Sequence, residues 1–383
     1  MLFLLFIHSL PGFQQFRPVR LPTTSMNHTL LGIDWGTSNR RAYLIDRQGN
    51  CLARHEDKQG MLAVRGRFGE SLAGLLAALD IGADVPLLLS GMVGSAAGWQ
   101  EVAYADCALP LERLPAHLAP LADPAWAGRG HIVPGYCYRA DADAGGGAGA
   151  DAAVDVMRGE ETQLLGAVAL GRRDGWLVLP GTHSKWVLLR DGAVASIATY
   201  MTGELYAMLA AGGTLAALMD GDSAEPQAFA AGLRQAGLGE PLSNSLFRVR
   251  ARVVAGAMPQ AQAAGFVSGL LIGAEFAAAA SAAAGFGATS AATAGGFSAA
   301  SATVTAASSA AALATGAGSA KAAASGSPSA TALAPVRARI DVIGSPALAE
   351  RYAVAAAHFG LECAVLDPHQ VYCAALSRFL NQA

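Results

Sequence analysis

Two short stretches of this chain carry residue types suited to chemistry, and they resemble each other. In the first, Gly36-Thr37-Ser38-Asn39 follows the apolar run Leu30, Leu31 and Ile33, which Asp34 closes. Gly and Asn tolerate positive φ and short hydroxyls bond locally, so these residues make a turn. A turn of this kind exposes backbone N–H groups and hydroxyls, and successive N–H groups form a concavity that suits a phosphate. Asp34, at the strand end, is then placed to hold a Mg²⁺ bridging phosphate oxygens. An ordinary hairpin with a polar tip explains the stretch equally well. In the second, Pro180-Gly181-Thr182-His183-Ser184-Lys185 separates the apolar runs 176–179 and 186–189, so a Gly-Thr turn returns 145 positions later, from Gly36 to Gly181. Recurrence of one strand, turn, strand, turn, strand unit implies two similar lobes facing one ligand.

The elements that must position these turns follow from periodicity. Arg41, Tyr43 and Ile45 alternate with Ala42, Leu44 and Asp46 as a strand does, and Cys51 to Glu56 makes a third, so the chain opens as an antiparallel meander. Phe68 to Leu79 has helical spacing, and residues 86–90 form a short buried strand. That strand runs into Gly91-Met92-Val93-Gly94-Ser95, followed by Gly98-Trp99, a loop that lets a ligand approach the backbone or a surface loop with Trp99 tucked inward. Residues 131–135 are another strand, and the Gly/Ala run 140–153 a flexible loop. An amphipathic helix is expected from Asp155 to Leu170, with Met157, Glu161, Leu164, Leu165 and Val168 on one face. Its start, Arg158-Gly159-Glu160-Glu161, is unusually polar; the helix dipole favours acids there, but Gly159 is a poor helix residue and implies close packing.

After the second turn, residues 193–199 read as its third strand, and Thr202 as the N-cap of a helix through Ala211. Helices are expected at 229–237 and 259–280. From 277 to 335 the composition falls to Ala, Ser, Gly and Thr, too poor in bulky side chains to offset ordering entropy, and is read as a disordered insertion with some frayed helix. Strand 339–343 then ends in Gly344-Ser345 and feeds helix 347–359, a strand-to-helix switch where nucleotides commonly lie in open α/β sheets. Strand 361–366 and helix 367–380 close the chain.

Composition sets bounds on partners. The formal net charge is −3 with no large basic block, so nothing points to nucleic acid. The five cysteines include no C-x-x-C pair and the eight histidines no ligand spacing. A reducing, cytoplasmic compartment fits, and a homodimer is compatible with all of this. The apolar stretch Met1 to Leu10 is too short to span a bilayer and lacks a basic start. Residues 1–28 are read as an extension, 29–174 as an N-terminal lobe and 175–383 as a C-terminal lobe carrying the 277–335 insertion.

No Walker loop or G-x-G-x-x-G fingerprint is present. GIDWGTSN, GMVGS with its following GW, MRGEETQL, PGTHSKWV, MTGEL and SGLLIGAE, in this order from about Leu30 to Ala280, resemble the 2-dehydro-3-deoxygalactonokinase family. The resemblance implies an α/β fold of two ribonuclease-H-like lobes, the actin-like ATPase fold, with ATP in the cleft between them. It implies transfer of the γ-phosphate of ATP to the 6-hydroxyl of the sugar acid 2-dehydro-3-deoxy-D-galactonate. On this reading Gly36, Thr37, Ser38 and Asn39 cradle phosphates from one lobe and Gly181, Thr182 and His183 from the other. Asp34 holds Mg²⁺, and Gly344 and Ser345 lie against the adenosine. Arg158, or else Lys185, meets the substrate carboxylate, with Gly94 and Ser95 in the acceptor site. Glu160 or Glu161 is the base that takes the hydroxyl proton, with Asp155 and Glu204 behind them. Two other readings stay open: a kinase of this fold for another sugar, and an actin-like nucleotide switch without a small acceptor.

Overall fold

In a computed structural model of the chain, the described residues are 29–139, 154–219, 225–292 and 338–382. The expected extension 1–28, the flexible loop 140–153 and most of the 277–335 insertion therefore lie outside them.

The first meander consists of β1 (Thr29–Trp35), β2 (Arg40–Asp46) and β3 (Cys51–Asp57), followed by α1 (Met61–Val64) and α2 (Phe68–Ala78). Strands β4 (Leu87–Gly91), β5 (Ala105–Asp106), β6 (Ala119–Pro120), β7 (Gly130–Ile132), β8 (Tyr136–Arg139) and β9 (Val154–Met157) lead into α3 (Glu160–Ala169). The second meander is β10 (Gly175–Leu179), β11 (Ser184–Arg190) and β12 (Ala193–Tyr200). Helices α4 (Thr202–Ala211), α5 (Gly213–Ala216), α6 (Pro226–Ala236), α7 (Leu242–Val254) and α8 (Ala263–Ala292) follow, then β13 (Arg339–Ile343), α9 (Pro346–His358), β14 (Glu362–Leu366) and α10 (Pro368–Gln382).

The sheets repeat one topology. One runs β3-β2-β1-β4-β7-β6 and the other β12-β11-β10-β13-β14. In both, three antiparallel strands continue into parallel partners, β4 and β7 in one and β13 and β14 in the other. Each meander is bulged at a matching place, between Leu44 and Ile45 and between Leu188 and Leu189. This is the duplicated ribonuclease-H-like order that the resemblance implies, and the fold is the actin-like ATPase fold. A small sheet, β5-β8-β9, has strands too short to announce themselves in the sequence.

Helices α3 and α10 lie between the two sheets. Their Leu164, Leu165, Val371 and Leu376 share one core with Tyr43 and Ile45 from the first sheet and Leu179 and Val187 from the second. Burial of this apolar surface, at roughly 25 cal/mol per Å², is what joins the sheets. The two helices touch at Gly166, where a Cβ would come within 1.9 Å of the Val371 carbonyl oxygen. Helices α6 and α8 meet in the same way, since a Cβ on Gly269 would lie 2.0 Å from the Phe229 oxygen. Among the described residues one helical segment, Gln260–Ala279, is apolar and long enough to cross a membrane, and 72% of it is buried inside the protein.

Four expectations change. The helix expected from Asp155 splits: residues 154–157 pair with β8, and α3 begins only at Glu160, because Gly159 takes φ +111°. Thr202 is not a cap; the cap position is Met201, and the Thr202 hydroxyl donates to Glu275 Oε2 at 2.6 Å. Ser184 and Lys185, expected in the turn, belong to β11 and are buried. The helix expected to end at 280 continues to Ala292, into the stretch read as disordered. Helix α7 was legible, since Leu242, Leu246, Val249 and Val253 recur at helical spacing, yet its three arginines mask that face.

Gly166→Ala tests the joint between α3 and α10. Alanine gains up to about 1 kcal/mol in helix propensity, but the clash is with backbone, which cannot swing aside. We expect a net loss of about 1–3 kcal/mol, read as a lower urea midpoint; an unchanged or higher midpoint would mean that the helices are not in this contact.

Candidate active site

The first turn is held rigidly from below. Trp35 is fully buried, with its indole N–H donating to the Gln59 carbonyl at 2.8 Å and its ring edge-on to Phe68 at 5.3 Å. Arg40, at the other end of the turn, is paired with Asp57 at 2.6 Å and donates to the Ser71 hydroxyl at 2.9 Å. Gly36 N–H closes the turn on the Asn39 carbonyl at 2.9 Å, while Met61 and Leu62 N–H groups bond the carbonyls of Gly36 and Thr37. That backing requires glycine at 60, where a Cβ would sit 2.3 Å from the Ser38 backbone. Thr37, Ser38 and Asn39 are left exposed at the tip.

The second turn is backed by the same device. Glu204 N–H donates to the Thr182 carbonyl at 2.9 Å, and a Cβ on Gly203 would lie 2.3 Å from the Gly181 oxygen. Gly60 and Gly203 thus play matching parts, each letting a helix start pack beneath a Gly-Thr turn. His183 Nε2 is hydrogen-bonded to the Glu204 carboxylate, which takes Glu204 out of the set of free acids. Asp155 is likewise engaged, accepting from Thr199 N–H at 2.8 Å and from its hydroxyl at 2.6 Å, and so ties β9 to β12. Gly344 stands beside the second turn, its missing Cβ 2.8 Å from Pro180 Cγ, at the carboxyl ends of the parallel strands β10 and β13. Ser345 is exposed at the start of α9.

Between the turns, three backbone segments stack on one another. A Cβ on Gly91 would meet the Trp35 carbonyl oxygen at 2.8 Å and Asp34 Oδ1 at 3.3 Å, and one on Gly159 would meet Gly91 Cα at 3.1 Å. Both glycines have positive φ, +84° and +111°, where other residues are strained. This stacking brings the acidic start of α3 onto Asp34. Burial raises the pKa of Asp34 against the opposing charge of Arg41, whose guanidinium is 3.4 Å away. Burial also raises that of Glu160, here opposed by Lys185, while the Asp34 charge pushes it further up. Glu160 therefore senses Asp34 from the first sheet and Lys185 from the second. Its Oε2 accepts the Arg158 N–H at 3.0 Å.

The two adjacent acids differ. Glu161 is fully buried, and its Oε2 accepts the Gly159 N–H at 2.7 Å. Burial, and next the neighbouring Glu160 charge, push it up to about 8. It braces the Gly159 turn instead of facing the cleft. Arg158 projects the other way: its guanidinium lies 4.2 Å from the Tyr104 ring centre and one nitrogen donates to the Val102 carbonyl at 2.7 Å. Its Nε and its other terminal nitrogen are buried without a partner among the described residues. Gly94 opens the space beside that free nitrogen, at 3.0 Å from where its Cβ would be. Ser95 spends its hydroxyl on the Met92 carbonyl at 2.8 Å.

Sequence reasoning missed the residues that support this site. Glu275 is buried and accepts from Trp186 Nε1 at 2.6 Å, from the Thr202 hydroxyl at 2.6 Å and from the Tyr352 hydroxyl at 2.8 Å, and Tyr352 also bonds Ser184 at 2.5 Å. An acid closing the apolar run SGLLIGAE was the available signal. Tyr372 bonds Ser90, the cross-strand neighbour of Asp34, at 2.8 Å; nothing in the sequence of α10 singles it out.

Paired ribonuclease-H-like sheets, each with a Gly-Thr turn backed by a helix start, define the class of actin-like ATPases and sugar kinases. The family model described as 2-keto-3-deoxy-galactonokinase matches residues 34–327, and the chain belongs to that family. It is 36% identical over 259 residues to the 2-dehydro-3-deoxygalactonokinase of Escherichia coli (strain K12), covering 66% of this chain and 80% of that one. A candidate 2-dehydro-3-deoxygalactonokinase of Rhizobium meliloti (strain 1021) is also 36% identical, over 64% of this chain and 79% of its own. The crystal structure of a candidate 2-dehydro-3-deoxygalactonokinase from Sinorhizobium meliloti superposes with a TM-score of 0.69 at 27% identity, covering 92% of this chain and 98% of that one. These similarities set aside the nucleotide-switch reading.

A raised folded-state pKa makes Glu161 a source of pH dependence. Its carboxyl ionises near 4.5 when unfolded and at about 8 when folded. The unfolded chain therefore sheds the proton first, and this group's contribution is present below about pH 4.5 and lost as pH rises towards 8. Glu161→Gln keeps an acceptor for Gly159 and does not titrate. We expect its melting temperature to gain on the wild type steadily between pH 5 and pH 8; a constant difference across that range would show that Glu161 is already ionised in the fold.

Proposed function

We propose that the enzyme transfers the γ-phosphoryl group of ATP to the 6-hydroxyl of 2-dehydro-3-deoxy-D-galactonate, a step of galactonate breakdown. The packing of Gly159 on Gly91, and of Gly91 on Trp35 and Asp34, carries the assignment of roles: it sets Glu160, the first residue of α3, where the charges of both Asp34 and Lys185 act on its carboxyl. Phosphoryl transfer demands positioning and charge stabilisation more than covalent chemistry, and this arrangement supplies both. On this reading residues 29–174 and 175–383 are the two lobes, although α10 packs back onto the first sheet.

The turns at Gly36 to Asn39 and at Gly181 to His183 face the phosphates with backbone N–H groups and exposed hydroxyls. The adenosine lies at Gly344 and Ser345, beside Pro180. Glu160, as a carboxylate, accepts the proton of the 6-hydroxyl as the oxygen attacks phosphorus. Lys185 stands where it stabilises charge on the group in transfer. Arg158 offers a cation whose Nε and Nη1 have no partner among the described residues, an opposite charge for the acid's carboxylate, with Gly94 beside it; Ser95 shapes that loop.

Mg²⁺ is implied by the class. The charge of Asp34 raises the proton affinity of Glu160, an effect that a cation between them would relieve. No group of three or more His, Cys, Asp or Glu that could hold a metal occurs among the described residues. Mg²⁺ takes one or two carboxylates and leaves its other positions to phosphate and water, and Asp34 is the residue that would hold it. Bound there, it would neutralise developing phosphate charge. The compartment proposed is the cytoplasm, where ATP is available.

The test is ADP release with Mg-ATP, comparing galactonate-derived and gluconate-derived 2-dehydro-3-deoxy acids with plain hexoses. Turnover is expected with the galactonate-derived acid. Glu160→Gln should lower kcat by roughly 10²–10⁴, whereas Glu161→Gln should leave it within a few-fold. Full kcat in Glu160→Gln would remove that residue from the chemistry. Arg158→Leu should raise KM for the acid while kcat holds; an unchanged KM would place the carboxylate elsewhere.

A further inference from the structure

Away from Asp34, a cavity of about 1010 Å³ opens between the β2–β3 turn, the end of α3 and α10. It plays no part in the kinase chemistry. Its wall carries three basic groups, Arg54 from β3 and His369 and Arg378 from α10, and contains no Asp or Glu. Neither arginine has an ion pair or hydrogen bond within the described residues, in contrast to Arg40, Arg41 and Arg173, which are all paired.

The acids nearest this wall are already committed. Asp46 accepts the N–H groups of Gln48 and Asn50 at 3.0 and 2.8 Å, and Asp367 accepts the His369 N–H at 2.7 Å. Glu56 is held by Arg41 at 3.0 Å. These acids keep their charge, but none of them pairs with Arg54 or Arg378 among the described residues. The side-chain amides of Gln48, Asn50 and Gln370 add neutral donors and acceptors to the wall, and Ala169 and Leu170 add apolar surface.

We propose that this cavity is a second, non-catalytic binding site for a phosphate monoester on a small polyol body. Two unpaired guanidinium groups match phosphate oxygens, which they bind bidentately. The amides match hydroxyls. The volume exceeds what a bare phosphate fills and is of the size of pockets for small metabolites. The binding surface is built on rigid backbone: the β2–β3 turn packs on α10 through Gly49, at φ +84°, where a Cβ would lie 3.1 Å from Ser377 Cβ.

Cys51 is exposed in this wall and reports on it without reference to the catalytic cleft. The full-length protein is treated with iodoacetamide, and alkylation of the Cys51 peptide is followed by mass spectrometry with glucose 6-phosphate, inorganic phosphate or glucose present. Glucose 6-phosphate is expected to slow the reaction several-fold and glucose to leave it unchanged. In the Arg54→Gln, Arg378→Gln double variant the ratio of rates with and without glucose 6-phosphate should return to one, with ADP release in the kinase assay retained. Equal protection by inorganic phosphate at the same concentration overturns the polyol part of the proposal. No protection by either anion, or protection undiminished in the double variant, overturns the site.

Discussion

Everything at the active site depends on a contact between backbones: β1 against Gly91, and Gly91 against Gly159. Neither glycine can carry a side chain, because the neighbouring backbone occupies the space at 2.8 and 3.1 Å. Positive φ at both positions turns the chain sharply enough for strand and helix ends to converge on Asp34. The acids of α3 reach the cleft through this stacking, not through their own spacing. The two adjacent acids of that helix are held differently, Glu161 fully buried and accepting the Gly159 N–H, Glu160 partly exposed and accepting the backbone N–H of Arg158.

A duplicated unit explains why one chain can grip a ligand from two sides. Each meander ends in a Gly-Thr turn, and beneath each a glycine, Gly60 or Gly203, admits the start of a helix. The supports under the two copies have diverged. Beneath the first, aromatic packing of Trp35, Phe68 and Trp99 does the work. Beneath the second, Glu275 gathers Trp186, Thr202 and Tyr352 around one carboxylate, and burial raises its pKa despite those hydrogen bonds. A buried acid kept by several donors is costly to disturb, since removing a partner leaves charge unsatisfied. Such a hub fixes β11, α4, α8 and α9 relative to one another.

Charge is distributed with the same economy. Acids that could compete with the site are engaged by a neighbour: Glu204 is hydrogen-bonded to His183, Asp155 to Thr199, and Asp57 is paired with Arg40. Among the described residues several cations lack an acidic partner: Arg158, with two unpartnered nitrogens, near the cleft, and Arg54 and Arg378 in the distant cavity. An enzyme whose ligands are anionic benefits from holding its cations open.

Much of this was legible in the residues themselves. Alternation and apolar runs located both meanders, and the recurrence of a Gly-Thr turn between strands implied two lobes, because local propensity and period are written in consecutive residues. The ordered motifs from GIDWGTSN to SGLLIGAE named the family. Tertiary structure alone separated the two acids: Glu160 and Glu161 are chemically identical, and the turn at Gly159 leaves one partly exposed and the other fully buried. It also moved Lys185 from a turn into a strand, turned Thr202 from a cap into a donor to Glu275, and brought Tyr372 beneath Asp34 from the far end of the chain. These depend on contacts between residues far apart in sequence, whose pairing no local pattern encodes.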